Sequence, residues 1–92
     1  KAVSAVDVYH AEAGGEGADM NTKSYAIYTS EDGISFEEMR SVTRNTLGTT
    51  HDAFTPVNAQ FVKLVINKPT QGSDSAARIY EVEVYGLEDT LD

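Results

Sequence analysis

Gln60-Phe-Val-Lys-Leu-Val-Ile-Asn67 is the stretch that decides the fold. Val62, Leu64 and Ile66 fall on one side of an extended chain, and Phe61, Lys63 and Val65 on the other. Side chains alternate between the faces of a strand with a period of two, so the stretch reads as β-structure. The same period recurs on both sides of it. Downstream, Ala77–Tyr85 puts Tyr80, Val82 and Val84 on one face and Ile79, Glu81, Glu83 and Tyr85 on the other, and Gly86 ends the run. Upstream, Val3–Tyr9 sets Val6 and Val8 opposite Asp7, and Lys23–Thr29 sets Tyr25, Ile27 and Thr29 opposite Ala26 and Tyr28. In Ile34–Val42, Phe36 and Met39 break strict alternation, which predicts a bulge at Glu37-Glu38. A short strand around Phe54 ends at Pro56.

Six strands with polar connections predict an all-β domain, a two-sheet antiparallel β-sandwich. Ser30-Glu-Asp-Gly33 separates two apolar runs, and Asp-Gly marks a turn because glycine accepts positive φ without strain. Ala11–Thr22 reads as a long loop, since Gly14, Gly15 and Gly17 hold a helix poorly. Loops of that length need anchoring and tend to be functional. Arg44–Thr50 and Lys68–Ala76 are further loops, and the acidic Leu87–Asp92 reads as a tail or linker after a module at 1–86.

The 92 residues suit one domain, and without cysteine no disulfide can staple it. A net charge of −8 disfavours nucleic acid and anionic membrane surfaces, whereas neutral ligands such as sugars, and cations, are compatible with it. No apolar run approaches the ~18 residues of a membrane span. Lys1 leads at once into strand sequence, so the start reads as internal to a longer precursor. There is no Gly-x-Ser-x-Gly elbow, no P-loop and no zinc spacing. Alternation along surface strands accounts for Glu37-Glu38 and for Glu81 with Glu83. The chain is therefore expected not to be an enzyme.

Four pieces carry a family resemblance. They are Tyr25-Ala-Ile-Tyr-Thr-Ser-Glu-Asp-Gly33, Phe36, Phe61-Val-Lys-Leu64 and Ala77-Arg-Ile-Tyr-Glu-Val-Glu-Val-Tyr-Gly86. In order and spacing they resemble the discoidin-like (coagulation-factor type C) domain, from Val3 to Gly86. Within it, the chain is most similar to the family 32 carbohydrate-binding modules. His10-Ala-Glu-Ala-Gly-Gly-Glu16, followed by Asn21-Thr22, resembles modules carried by secreted bacterial glycoside hydrolases of the endo-β-N-acetylglucosaminidase and α-mannosidase types. The resemblance implies a jelly-roll, galactose-binding-domain-like sandwich that is incomplete at its N-terminus. The family's asparagine-rich opening and Trp-containing stretch have no counterpart here. It also implies a secreted or cell-surface location, and non-catalytic binding of a galactose-, mannose- or N-acetylglucosamine-type glycan. The module would tether the catalytic domain of the same protein. A structural packing domain without a sugar site, or an adhesion module, is the alternative.

The resemblance places sugar contacts at His10, Glu16 and Asn21, with Arg44 and Asn45 on a later loop. Arg40 is an alternative to Arg44, and Asp74 a further candidate. A ring nitrogen, a carboxylate and an amide are suited to sugar hydroxyls, since between them they donate and accept. The competing readings are structural: His10 anchoring its loop, Glu16 solvated, Asn21 capping its own turn. Glu81 matches a glutamate that holds a structural calcium ion in the family, and calcium takes about six to eight oxygens. Pairing of Glu81 with Arg78 or a lysine is the alternative. There is no tryptophan, and most tyrosines and phenylalanines lie at core-facing parity, so no exposed aromatic platform is expected.

Overall fold

The structure is a computed structural model that describes residues 1–86; the expected acidic tail, 87–92, lies outside the described residues. Six strands form: β1 (Ala2–Tyr9), β2 (Ser24–Ser30), β3 (Glu37–Val42), β4 (Thr49–Asn58), β5 (Phe61–Lys68) and β6 (Glu81–Tyr85). They make two antiparallel three-stranded sheets, ordered β4-β1-β6 and β3-β2-β5. This is the all-β sandwich that the alternation predicts.

β1 and β2 occupy the centres of the two sheets, and their inward faces make the core. Val6 and Val8 from β1 meet Tyr25 and Ile27 from β2, and all four are buried. Phe54, Leu64 and Ile66 pack around them from neighbouring strands. The two-residue passage Ala59-Gln60 carries the chain from one sheet to the other. It is pinned at both ends: Ala59 N donates to Lys1 O at 2.8 Å and Gln60 N to Ser30 O at 2.9 Å. The Asp-Gly turn forms as expected, with Gly33 at φ +80°. Its Asp32 carboxylate accepts from the amides of Ile34 and Ser35, and those two bonds hold its pKa below the ordinary value.

Several boundaries differ from the sequence expectation. β4 is ten residues long, not a short segment around Phe54. Polar Thr50 and Asp52 occupy its buried positions, which hides the apolar alternation. Pro56 sits inside it because β4 is an edge strand, where a missing N–H is tolerated. β3 starts at Glu37 and not Ile34, since residues 31–36 belong to the turn. The bulge lies one residue beyond the expected Glu37-Glu38. Ile27 pairs with Arg40 and Tyr28 with Glu38, so Met39 is the extra residue. The expected Ala11–Thr22 loop contains two short 3-10 turns, Ala11–Gly14 and Ala18–Met20.

β6 begins at Glu81 and not at Ala77. Without strand pairing, residues 77–80 escape the period of two. Ile79, set by alternation opposite Val82 and Val84, packs on the core, while Tyr80 is 53% exposed. Val82 and Val84 stand beside Val8 and Val6 on the inward face. Yet they remain 41% and 47% exposed, because β6 is a sheet edge that no described strand covers. A cavity of about 550 Å³ opens between the sheets there, lined by Val3, Val62 and Val84 among others.

Candidate functional site

The antiparallel topology gathers three connections at one end of the sandwich: residues 10–23, 43–48 and 69–80. Side-chain amides weave them together. Asn21 Oδ1 accepts from the Glu12 amide at 2.9 Å, and its Nδ2 donates to Glu12 Oε1 at 3.2 Å and Thr46 O at 3.3 Å. Asn45 Nδ2 donates to Thr22 O at 2.8 Å and Leu47 O at 3.0 Å, while its Oδ1 accepts from the Leu47 amide. Gln71 Nε2 bridges the backbone carbonyls of Asn21 and Asn45 at 2.8 and 3.0 Å. Every loop is thus bonded to both others, which braces this end of the sandwich.

His10 lies beneath this network and is fully buried. Its amide donates to Gly48 O, Nε2 pairs with Thr50 Oγ1 at 2.9 Å, and Nδ1 has no partner. The ring lies 5.6 Å from that of Tyr25, whose hydroxyl donates to Asp52. Arg40 reaches the same Asp52 at 3.6 Å. Burial pushes the His10 pKa down, with Asp52 opposing. Hence the unfolded chain takes up a proton below the ordinary value of about 6.5, while the folded chain resists it. We predict that stability is flat above that pH and falls as pH drops from there towards 5, before most carboxylates titrate. A urea-midpoint series across this range should show the loss, and His10→Gln should flatten it.

These positions correct three expectations. His10, Asn21 and Asn45 do not face solvent, and both amide side chains are spent inside the loops. They hold the site and do not form its surface. Arg40 is tied to Asp52. Arg44 is exposed on the middle loop, as a ligand contact would need to be.

Glu16 is the expected residue that the structure places in a mixed surface cluster. It accepts from the Tyr80 hydroxyl and, at 3.1 Å, from Arg78 Nε. Arg78 Nη2 pairs with Asp74 at 3.0 Å, and Nη1 donates to Ala76 O at 2.8 Å. The Ala76 amide, and then Arg78, hold Asp74 below the usual carboxylate range, while the bond to Glu16 raises the Tyr80 hydroxyl. The Tyr80 ring packs on the backbone of Gly14, where a Cβ would come within 2.3 Å of a ring carbon. An exposed aromatic ring does exist, contrary to expectation. Sequence parity missed it by running the last strand back to Ala77. The sequence offers Arg78 only as a partner for Glu81, and nothing in the Pro69-Thr-Gln-Gly72 loop marks Gln71.

Glu81 does not pair with Arg78, whose carboxylate partners are Glu16 and Asp74. It lies beside Glu83, and their shared hydrogen bond raises the Glu81 carboxyl. Glu83 accepts from Tyr9 and Tyr85 hydroxyls, each at 2.8 Å, and the Tyr9 bond contributes most to holding it low. Among the described residues no group of three or more His, Cys, Asp or Glu converges. Two carboxylates fall short of the six to eight oxygens of a calcium shell, roughly half of what is needed.

The family model for the F5/8 type C domain matches residues 1–82. The chain belongs to that family. No curated protein sequence matches it. Among solved structures it is similar to the family 32 carbohydrate-binding module from Streptococcus pneumoniae EndoD, with a TM-score of 0.86 and 27% identity. That match covers 95% of this chain but 63% of the EndoD module chain, so this F5/8 type C domain spans less than two thirds of its structural relative.

Proposed function

We infer that this F5/8 type C domain is a non-catalytic carbohydrate-binding module. The observation that carries this reading is the woven loop end, a polar surface held by buried Asn21 and Asn45 and by half-buried Gln71. Its fold likeness to a module described as carbohydrate-binding supports the same reading. A rigid site loses little freedom when a ligand docks, which matters for a weak ligand such as a single sugar. In this reading the module belongs to a secreted bacterial glycoside hydrolase. It binds galactose-, mannose- or N-acetylglucosamine-type glycans and raises the local concentration of the attached catalytic domain. The F5/8 type C match and the likeness to a carbohydrate-binding module support the non-catalytic part of this reading. A structural calcium ion at Glu81 belongs to the same reading; a chelator-sensitive melting temperature decides that point.

The test is a glycan-array screen of the folded protein. Binding to neutral glycans is expected. Silence from protein shown to be folded would sink the reading and favour a second one, a packing module. The half-exposed Val82 and Val84, with the cavity beside them, favour that alternative, since core-facing valines gain by being covered.

A further inference from the structure

We propose that His10 is an acid trigger for the loop end: when its ring gains a second N–H proton, residues 10–23 lift away from residues 43–48 while the sandwich beneath stays folded. The event needs no ligand and stands apart from the carbohydrate reading.

The ring has no exposed surface, and three strands and two loops supply its surroundings. From β4, Thr50 Oγ1 meets Nε2 at 2.9 Å. From β2, the Tyr25 ring lies tilted against it at 5.6 Å. Asp52, also on β4, is the carboxylate whose charge reaches the ring. That carboxylate is already shared, since it accepts from the Tyr25 hydroxyl and faces Arg40 of β3 at 3.6 Å. On the loop side, the Glu12 side chain packs on Gly48 and accepts from Asn21. An imidazolium donates from both nitrogens. Here Thr50 can serve Nε2 and nothing serves Nδ1, whichever tautomer the neutral ring adopts. A buried imidazolium would therefore keep an unmet donor as well as a charge, and both carry a free-energy cost that water relieves.

The opening that wets the ring at least cost is at the loops. His10 is the first residue past β1, and its amide holds Gly48 O at 2.8 Å. Beyond it, single bonds keep the loops together: Asn45 N to Lys23 O, Asn21 Nδ2 to Thr46 O, and Gln71 Nε2 to the carbonyls of Asn21 and Asn45. β1 and β2 are paired on both sides and carry the buried core. Parting the loops is thus easier than parting the sheets, as local openings generally are. Thr22, at the other end of the same loop, is fully buried with its Oγ1 unpartnered, and the same movement gives that hydroxyl water.

The sign follows from which form accepts the proton. The closed form resists it, because burial outweighs the pull of Asp52. The open form titrates near the ordinary imidazole value of about 6.5, so closure is fully favoured above that pH and loses ground below it. Between pH 7.5 and 5.5 the open fraction should grow about tenfold. A ligand held by this end at neutral pH is released by the same event.

The experiment is amide hydrogen exchange of the 92-residue protein, read by NMR at pH 7.5, 6.5 and 5.5 as protection relative to the unstructured chain. Protection of the His10, Asn45 and Gln71 amides should fall about tenfold across the range, while Val6 and Ile27 hold theirs. His10→Gln should abolish the pH dependence. His51→Gln, at the exposed histidine of β4, should leave it intact. Should His10→Gln fail to fold, ring resonances of the native protein decide the matter: the His10 signals, and not those of His51, must change in step with the loss of loop protection. Loop protection unchanged down to pH 5.5 would overturn the trigger. So would an equal fall in the sheets, which means global unfolding, or a pH response that survives in folded His10→Gln.

Discussion

Replacing Asn21 by alanine is expected to lower the unfolding free energy by about 2–4 kcal/mol, since each buried polar group left unpaired costs about 1–3 kcal/mol. The side chain is fully buried and makes three bonds, to the Glu12 amide, Glu12 Oε1 and Thr46 O. Alanine leaves the Glu12 amide and the Thr46 carbonyl facing a gap. A domain of this length has on the order of 5–14 kcal/mol in total, so the loss is a large share. The effect should be local as well as global. Amide exchange in residues 10–23 and 43–48 should accelerate more than in β1 or β2, because the loops lose their common anchor. Asn21→Asp is a sharper probe: it keeps the acceptor for the Glu12 amide but sets a carboxylate against Glu12 Oε1. Denaturant unfolding of both variants checks the prediction, and a change under about 0.5 kcal/mol in each would show that the amide is not a structural pin.

Ile27→Ala should cost about 2–5 kcal/mol, the range for large-to-small changes at fully buried aliphatic sites. Ile27 is at 0% exposure in the middle of β2, paired with Arg40 on one side and Leu64 on the other. Both neighbouring strands are hydrogen-bonded to β2, so the backbone cannot easily close the void. The same substitution at Ile34, which is 85% exposed in the turn before β3, should change stability by less than about 0.5 kcal/mol. Thermal or urea melts of the two variants make one matched comparison. Equal losses at the two positions would mean that β2 is not the centre of the core.

Period-two alternation made the inward faces of β1, β2 and β5 readable, because these strands carry apolar side chains wherever they meet the core. It failed in β4, where Thr50 and Asp52 take buried positions and satisfy His10 and Tyr25 through their oxygens. It overreached at residues 77–80, where nothing in the residue types announces that pairing starts only at Glu81. The candidate site was legible as a place but not as a set of contacts. His10, Glu16, Asn21, Arg44 and Asn45 do gather at one end. A sequence shows which side chains can hydrogen-bond a sugar, and the same chemistry hydrogen-bonds a loop. Only three-dimensional neighbours reveal that Asn21 and Asn45 are already saturated and that Glu16 keeps capacity to spare.

β6 lies antiparallel to β1, with Tyr85 beside Ala5 and Glu81 beside Tyr9. A polypeptide that enters through β1 and leaves through β6 therefore does both at one corner, at the end of the sandwich opposite the woven loops. Tension applied across that corner would not shear the sheet. It would peel β6 away one cross-strand pair at a time, beginning at Tyr85 and reaching Glu81 last. Tyr80 adjoins Glu81, so it would keep its place against Gly14 until the strand had almost parted. A tether loaded in this way yields gradually at its far edge while the loop end holds its shape, and lets go of that end only when the final pair gives.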